Sequence, residues 1–162
     1  MTRIIAGSAR GRRLAVPPAG TRPTSDRVRE ALFSTLDSEF LAAGLAWGEV
    51  RVLDLFAGSG AFGLEALSRG AAGAVLVEKS RAAAAVIRAN ADAVGCPGAQ
   101  VLVRDARQVA GLPPPDGGVD LCFADPPYDW AAADLTTVLS ALHDSGWLSD
   151  DARVVVERPA RD

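Results

Sequence analysis

The chain is poor in the residues that build metal centres and disulfide frameworks. It has two cysteines, Cys96 and Cys122, in unrelated contexts, and one histidine, His143. That set is too small for a structural zinc site, and unpaired thiols point to a reducing, cytoplasmic setting. No metal is therefore expected. No continuous apolar run is long enough to span a bilayer, and the Arg-containing start lacks the apolar segment of a secretory signal, so no membrane association is expected. Lysine is almost absent: Lys79 is the one lysine among 17 basic residues. No internal repeat and no linker stands out. Against these absences, 162 residues with 49% hydrophobic content suffice for one well-packed globular domain.

The net charge of −3 argues by itself against a nucleic-acid partner, but its distribution argues for one. Residues 1–29 carry seven arginines against Asp26, which is +6; residues 30–162 carry ten basic and nineteen acidic groups, which is −9. A strongly basic end on an acidic body is the asymmetry of a phosphate-gripping arm. Arg3-Ile-Ile-Ala-Gly7 and Arg13-Leu-Ala-Val-Pro17 read as two short strands of a hairpin around Ser8–Arg12. We divide the chain into this hairpin extension (1–20), with Arg3, Arg10, Arg12 and Arg13 facing RNA, and one further domain (21–162).

A helix follows, capped by Thr24 or Ser25 with Asp26 in its first turn. Val28, Leu32, Leu36 and Phe40 form its apolar stripe, leaving the N-terminus and its arginines free to hold an anion. Arg51-Val-Leu-Asp-Leu-Phe56 is apolar enough for a central parallel strand. Gly58, Gly60 and Gly63 then spell G-x-G-x-x-G between a strand and a helix (Leu64–Arg69), the context in which such a loop approaches a nucleotide. Strand Ala74–Val77 ends at Glu78, placed to take the two hydroxyls of a ribose. Arg81–Val94 is a helix with Gly95 as its stop. Strand Gln100–Arg104 ends at Asp105, which either accepts from an adenine amine or caps the short helix after it. Strand Val119–Ala124 leads into Asp125-Pro-Pro-Tyr128, helix Ala131–His143 follows, and Ala152–Glu157 is a fifth strand.

Strands alternating with helices give a mostly parallel sheet with helices on both faces, a Rossmann-like α/β fold, and ligands gather at the carboxyl ends of its strands. The glycine loop, Glu78, Asp105 and Asp125 therefore share one rim. The first three suit a nucleoside-type cofactor. Asp125-Pro-Pro-Tyr128 offers two adjacent acceptors, the Asp125 carboxylate and the Pro126 carbonyl, with a ring beside them; that set fits a planar base bearing an exocyclic amine.

Asp54-Leu-Phe-Ala-Gly-Ser-Gly60 together with Asp125-Pro-Pro-Tyr128 resembles the S-adenosylmethionine-dependent amino-methyltransferases. Arg22-Pro-Thr-x-x-Arg-Val-Arg-Glu-x-Leu-Phe33, the opening Arg-Ile-Ile-Ala-Gly, Gly63-Leu-Glu-Ala-Leu-Ser-Arg-Gly-Ala71 and Gly146-Trp-Leu148 narrow the resemblance to the bacterial RsmD-type 16S rRNA guanine(966)-N(2) methyltransferases. It runs from Arg3 to about Glu157. It implies that Asp54, Phe56, Gly58, Gly60 and Glu78 bind S-adenosylmethionine, leaving S-adenosylhomocysteine as product, with Asp105 by the adenine. Thr24 and Arg27 hold the methionine end, Asp125, Pro126 and Tyr128 hold a flipped guanine, and the basic arm grips 16S rRNA in a small ribosomal subunit or its assembly intermediate. A monomer is expected. The family's sheet has seven strands, so the resemblance also implies that a C-terminal hairpin beyond Asp162 is missing, through a shortened gene product or with the edge covered by another chain.

Three other functions compete. A DNA amino-methyltransferase acting on adenine or cytosine uses the same tetrapeptide, but residues 64–125 are consumed by sheet and helix and leave no target-recognition region. A nicotinamide dehydrogenase accounts for the glycine loop and leaves the Asp125 motif and the basic arm unexplained. A non-catalytic RNA-binding assembly factor has no need of Asp125 and Tyr128.

Overall fold

The computed structural model describes residues 2–17 and 25–157. Five parallel strands form the body: β3 (Arg51–Asp54), β4 (Gly73–Val77), β5 (Ala99–Leu102), β6 (Val119–Ala124) and β7 (Leu148–Val156), in the spatial order β5-β4-β3-β6-β7. The chain winds outward from β3 in one direction, then returns to β3's other side with β6. The order thus reverses between β3 and β6, where an open parallel sheet leaves a crevice at its carboxyl edge. A separate two-residue pairing of β1 (Thr2–Arg3) with β2 (Arg13–Leu14), antiparallel, forms the expected N-terminal hairpin.

Helices α1 (Asp26–Ala42), α2 (Ala61–Ser68) and α3 (Arg81–Val94) supply the core on one face: Phe33, Leu36 and Phe40 from α1, Phe62, Leu64 and Leu67 from α2, and Ile87 and Val94 from α3. On the opposite face α4 (Ala132–Asp144) contributes Leu135, Val138 and Leu142, joined by Val109 of a short 3-10 turn over Ala106–Gly111 and by Trp130 and Trp147. Among the described residues, no helix is long and apolar enough to cross a membrane.

Ser25 caps α1 by accepting from the Val28 N–H at 3.2 Å; the alternative cap, Thr24, lies outside the described residues. The buried stripe of α1 is Arg29, Phe33, Leu36 and Phe40. The expected stripe is therefore rotated: Val28 is 47% exposed, and Arg29, expected to be free, is fully buried. The reason is a distant partner. Arg29 Nε lies 3.4 Å from the buried Glu65 carboxylate, and its Nη2 donates to Asp26 at 3.1 Å and to the Arg3 carbonyl.

Helix α2 is buried along its whole length because it is covered on both sides. Against the sheet, a Cβ on Gly63 would sit 2.5 Å from Leu76 Cδ2. Against the hairpin, Glu65 accepts the Ile5 and Ala6 N–H groups at 2.9 and 3.1 Å, and the Ser68 hydroxyl accepts from Ala9 N–H at 2.9 Å while donating to the Ala6 carbonyl at 2.7 Å. Gly7, at φ +88°, makes this approach possible: a Cβ there would fall 2.0 Å from the Ser68 carbonyl oxygen. Ile4, Ala9 and Leu14 of the hairpin join the main core.

Candidate active site

The register aligns the strand ends. Asp54, last residue of β3, pairs with Leu76 of β4 on one side and Phe123 of β6 on the other. Asp54, Glu78 and Asp125 consequently stand on neighbouring strands along one rim.

Asp54 is 2% exposed. The Gly63 and Phe56 backbone N–H groups donate to its carboxylate, yet Oδ2 has no hydrogen-bond partner among the described residues. Burial pushes its pKa up from 3.8 to about 7, and the charges of Asp125 and Glu78 act in the same direction. Cys122, buried one strand away, has its thiol pushed up by burial and by the Asp54 charge. It remains a thiol, inert as a nucleophile.

The glycine loop over Asp54 is pinned along its length. Gly58 and Gly60 are left-handed at φ 57° and 85°, which favours glycine at both positions. Gly58 N–H donates to Glu78 Oε1 at 3.2 Å, Gly60 N–H to the Ala57 carbonyl at 2.7 Å, and the Ser59 carbonyl accepts from Asn90 Nδ2 at 2.9 Å. The Ile87 side chain lies under Gly60, where an added Cβ would be 3.1 Å from Cγ2. Glu78 also accepts the Ser80 N–H at 2.9 Å through its other oxygen.

Asp105 caps the turn at 106–111. Its Oδ1 accepts the Arg107 N–H at 2.9 Å, and Gln108 completes the box by accepting the Asp105 N–H at 2.9 Å. Of the two roles open for Asp105, the structure displays the cap. Phe56 meets Trp130 edge-on, with centroids 4.9 Å apart, and the Arg107 guanidinium lies 3.9 Å above the Trp130 ring. This Arg107–Trp130–Phe56 stack closes the rim on the α4 side. Trp130 and Arg107 were not among the expected site residues; an aromatic two positions beyond Tyr128 was the available signal.

Past β6, Asp125 and Pro126 are half-buried, while Tyr128 is 72% exposed. The Trp130 N–H donates back to the Pro127 carbonyl at 3.1 Å, folding the motif into a turn that presents the tyrosine outward. Beside Asp125 opens an apolar cleft of about 170 Å³ lined by Val28, Leu32, Phe62, Phe123, the end of β7 at Val155 and Val156, and Glu157 just past it. Val28, expected in the core, lines this cleft instead, while Leu32 lines it and packs against the main core. Arg27 is exposed near the start of α1, and Arg3, Arg10, Arg12 and Arg13 are exposed on the hairpin, with Arg3 3.8 Å from Asp26.

The groups on the rim suit a nucleoside cofactor with a cationic reacting end: a buried carboxylate oxygen without a hydrogen-bond partner among the described residues, left-handed glycines that let backbone approach a ligand, and a carboxylate at the next strand end. Comparison with known proteins places the chain in a family. Residues 2–162 match the family model described as conserved hypothetical protein 95. The chain is 42% identical over 156 residues to ribosomal RNA small subunit methyltransferase D of Escherichia coli strain K12, covering 96% of this chain and 73% of that protein. The solved E. coli protein yhhF superposes with a TM-score of 0.80 at 40% identity, covering 96% of this chain and 79% of that one. A hypothetical protein of Thermus thermophilus superposes with the same score, 0.80, at 34% identity, over 100% of this chain and 88% of that one. The fold is the Rossmann-like fold of S-adenosylmethionine-dependent methyltransferases, and the chain belongs to the conserved hypothetical protein 95 family, the RsmD-type family that its motifs resemble.

Proposed function

We propose that this protein transfers a methyl group from S-adenosylmethionine to the exocyclic N2 amine of a guanine in 16S rRNA of the small ribosomal subunit or its assembly intermediate. The observation that carries the reading is the placement of Asp125, with Tyr128 exposed beside it, one strand from Asp54 and its glycine loop. An amine acceptor and a nucleoside cradle thus face one crevice. The names of the matched small-subunit rRNA methyltransferases support the substrate class.

Asp54, Phe56, Gly58, Gly60 and Glu78 would hold the cofactor, with Asp105 beside its adenine and Thr24 and Arg27 toward its methionine end. When bound, the cofactor supplies a methyl group already activated by a sulfonium. Guanine N2 is a poor nucleophile because its lone pair is delocalised into the ring. The Asp125 carboxylate and the Pro126 carbonyl accept its two N–H groups, draw the nitrogen toward a tetrahedral geometry and localise that pair. Alignment of this kind contributes up to about 7–11 kcal/mol. The base must leave its stack, at a cost of a few kcal/mol; stacking on Tyr128 returns about 1–3 kcal/mol. On methylation the amine gives up one proton, to Asp125 or to solvent water. Arg3, Arg10, Arg12 and Arg13 neutralise phosphates of the surrounding RNA.

The test is methyl transfer from labelled S-adenosylmethionine to small ribosomal subunits from cells lacking this gene, with Asp125→Ala run in parallel. N2-methylguanosine from the wild type alone supports the assignment. Transfer to adenine or cytosine of DNA, or equal transfer by the variant, overturns it.

A further inference from the structure

Helix α3 buries Ala83, Ala84, Ile87, Asn90 and Val94 at helical spacing, and Asn90 is the polar member of that stripe, 3% exposed. A carboxamide in such a place must find partners for its two N–H groups and its oxygen. Asn90 finds them in two different parts of the molecule. Its Oδ1 accepts the Ala15 N–H at 2.8 Å and its Nδ2 donates to the Ala15 carbonyl at 2.9 Å. The amide edge thereby acts on the basic arm as a one-residue strand, exchanging both backbone bonds with Ala15. The second N–H of Nδ2 donates to the Ser59 carbonyl, inside the glycine loop, at 2.9 Å.

The bond to Ser59 fixes one end of a peptide unit whose other end is also fixed. In a trans peptide the carbonyl and the following N–H point in opposite directions. The Ser59 carbonyl faces Asn90, so the Gly60 N–H faces away, and it donates to the Ala57 carbonyl at 2.7 Å. Rotation of that peptide breaks both bonds together. Of the two residues that flank this peptide, Ser59 and Gly60, the left-handed Gly60 supplies little resistance of its own. The loop conformation is therefore held from outside, and one of the holders is the side chain that also clamps the arm.

We propose that Asn90 is a positioning residue that couples cofactor binding at the glycine loop to docking of the arginine-rich arm, so that each strengthens the other. This rests on the assignment of the loop to S-adenosylmethionine given above. With the loop set by its ligand, Asn90 is held with its remaining edge aimed at Ala15. With the arm engaged by RNA phosphates, the same amide is held toward Ser59. Linkage makes the two effects equal in size, and such couplings commonly lie between about 5- and 150-fold.

The experiment uses the whole chain and S-adenosylhomocysteine, which binds without reacting. Binding is measured by calorimetry, and hydrogen exchange of the Ala15 amide with and without saturating ligand. Binding is expected to slow Ala15 exchange at least about fivefold, the lower end of that range. Asn90→Asp keeps an acceptor for the Ala15 N–H and loses both donors, so it releases the Ser59 carbonyl. In that variant the ligand-linked slowing is expected to vanish, with weaker ligand binding. A chain that binds no ligand overturns the cofactor assignment and this inference with it. Binding without any change at Ala15, or unchanged slowing in Asn90→Asp, overturns the inference alone. If the variant fails to fold, the wild-type exchange comparison still decides.

Discussion

Asp54 should make the protein lose stability as pH rises, and Asp54→Asn should remove that loss. The carboxyl titrates at 3.8 in an unfolded chain and at about 7 in the fold, chiefly because it is buried and secondarily because Asp125 and Glu78 are nearby. Below pH 3.8 both states hold the proton and the group costs nothing. Above it the unfolded chain ionises while the folded one keeps its proton, so unfolding gains. The loss grows until about pH 7, where the folded state ionises too, and then levels off. At 1.36 kcal/mol per pH unit the full loss is about 4 kcal/mol. Between about pH 5.5 and 8.5 the part still accruing is about 2 kcal/mol. Asparagine does not titrate, and its amide retains an acceptor for the Gly63 and Phe56 N–H groups. Its NH2 would stand where Oδ2 has no partner among the described residues, a cost of about 1–3 kcal/mol. That cost does not depend on pH. Urea unfolding of both proteins followed by circular dichroism at about pH 5.5 and 8.5 should therefore show the variant gaining about 2 kcal/mol on the wild type over that interval. Parallel pH curves for the two proteins would refute the reasoning, since they would place the Asp54 pKa at its ordinary value in the fold.

Three further perturbations probe other parts of the structure. Glu65→Ala removes the carboxylate that holds Arg29, Arg69 and the Ile5 and Ala6 N–H groups; it should cost about 3–5 kcal/mol in denaturant unfolding, because the fully buried Arg29 loses its buried counter-charge and keeps only the partly exposed Asp26. Tyr128→Ala, at a side chain 72% exposed, should leave the melting temperature unchanged and slow methyl transfer by about 5- to 150-fold, the equivalent of 1–3 kcal/mol of lost stacking. Replacing Arg10, Arg12 and Arg13 together by alanine should weaken RNA binding and flatten its dependence on log salt concentration by about 2–3, as three lost phosphate contacts require; an unchanged slope in filter binding would remove the hairpin from the RNA interface.

What the sequence made legible depended on whether the information was local. Strand β6 and helix α3 occupy the residues expected of them, because each is bounded by its own punctuation: Gly117 and Gly118 before β6 and Pro126 after it, a Ser80 cap on α3 and a left-handed Gly95 at its end. The rim followed from these, since the glycine loop after Asp54, the Ser80 cap after Glu78 and Pro126 after Asp125 mark where each strand stops. The stripe of α1 was misplaced because positions 28, 32, 36, 40 and positions 29, 33, 36, 40 share two members, and polarity favoured the first set. Glu65, far along the chain on α2, and the Arg3 carbonyl of the hairpin help make Arg29 a core residue. The start of β7 was missed for a similar reason. Leu148-Ser-Asp-Asp shows no apolar alternation, and its pairing is irregular: Val119 pairs with Leu148, and the next pair is Leu121 with Arg153. Asp105 remained open between two roles because a strand-end aspartate is equally suited to a ligand and to a cap.

The polar residues that sequence reasoning passed over have a common purpose. A pairing of two residues against two cannot hold a hairpin in water, so the arm depends on what lies beneath it. Beneath it are Glu65 and Ser68 on α2 and Asn90 on α3, which take up the N–H groups of Ile5, Ala6, Ala9 and Ala15 and the carbonyls of Ala6 and Ala15. These are the helices that start at the glycine loop and just beyond Glu78. Each anchor is a polar side chain inside an otherwise apolar helix face, a pattern that costs stability unless a partner is supplied. The partner in every case is backbone of the arm. The basic arm and the strand-end rim proposed to hold the cofactor thus share a foundation, and a substitution on the buried faces of α2 or α3 should be read by its effect on both.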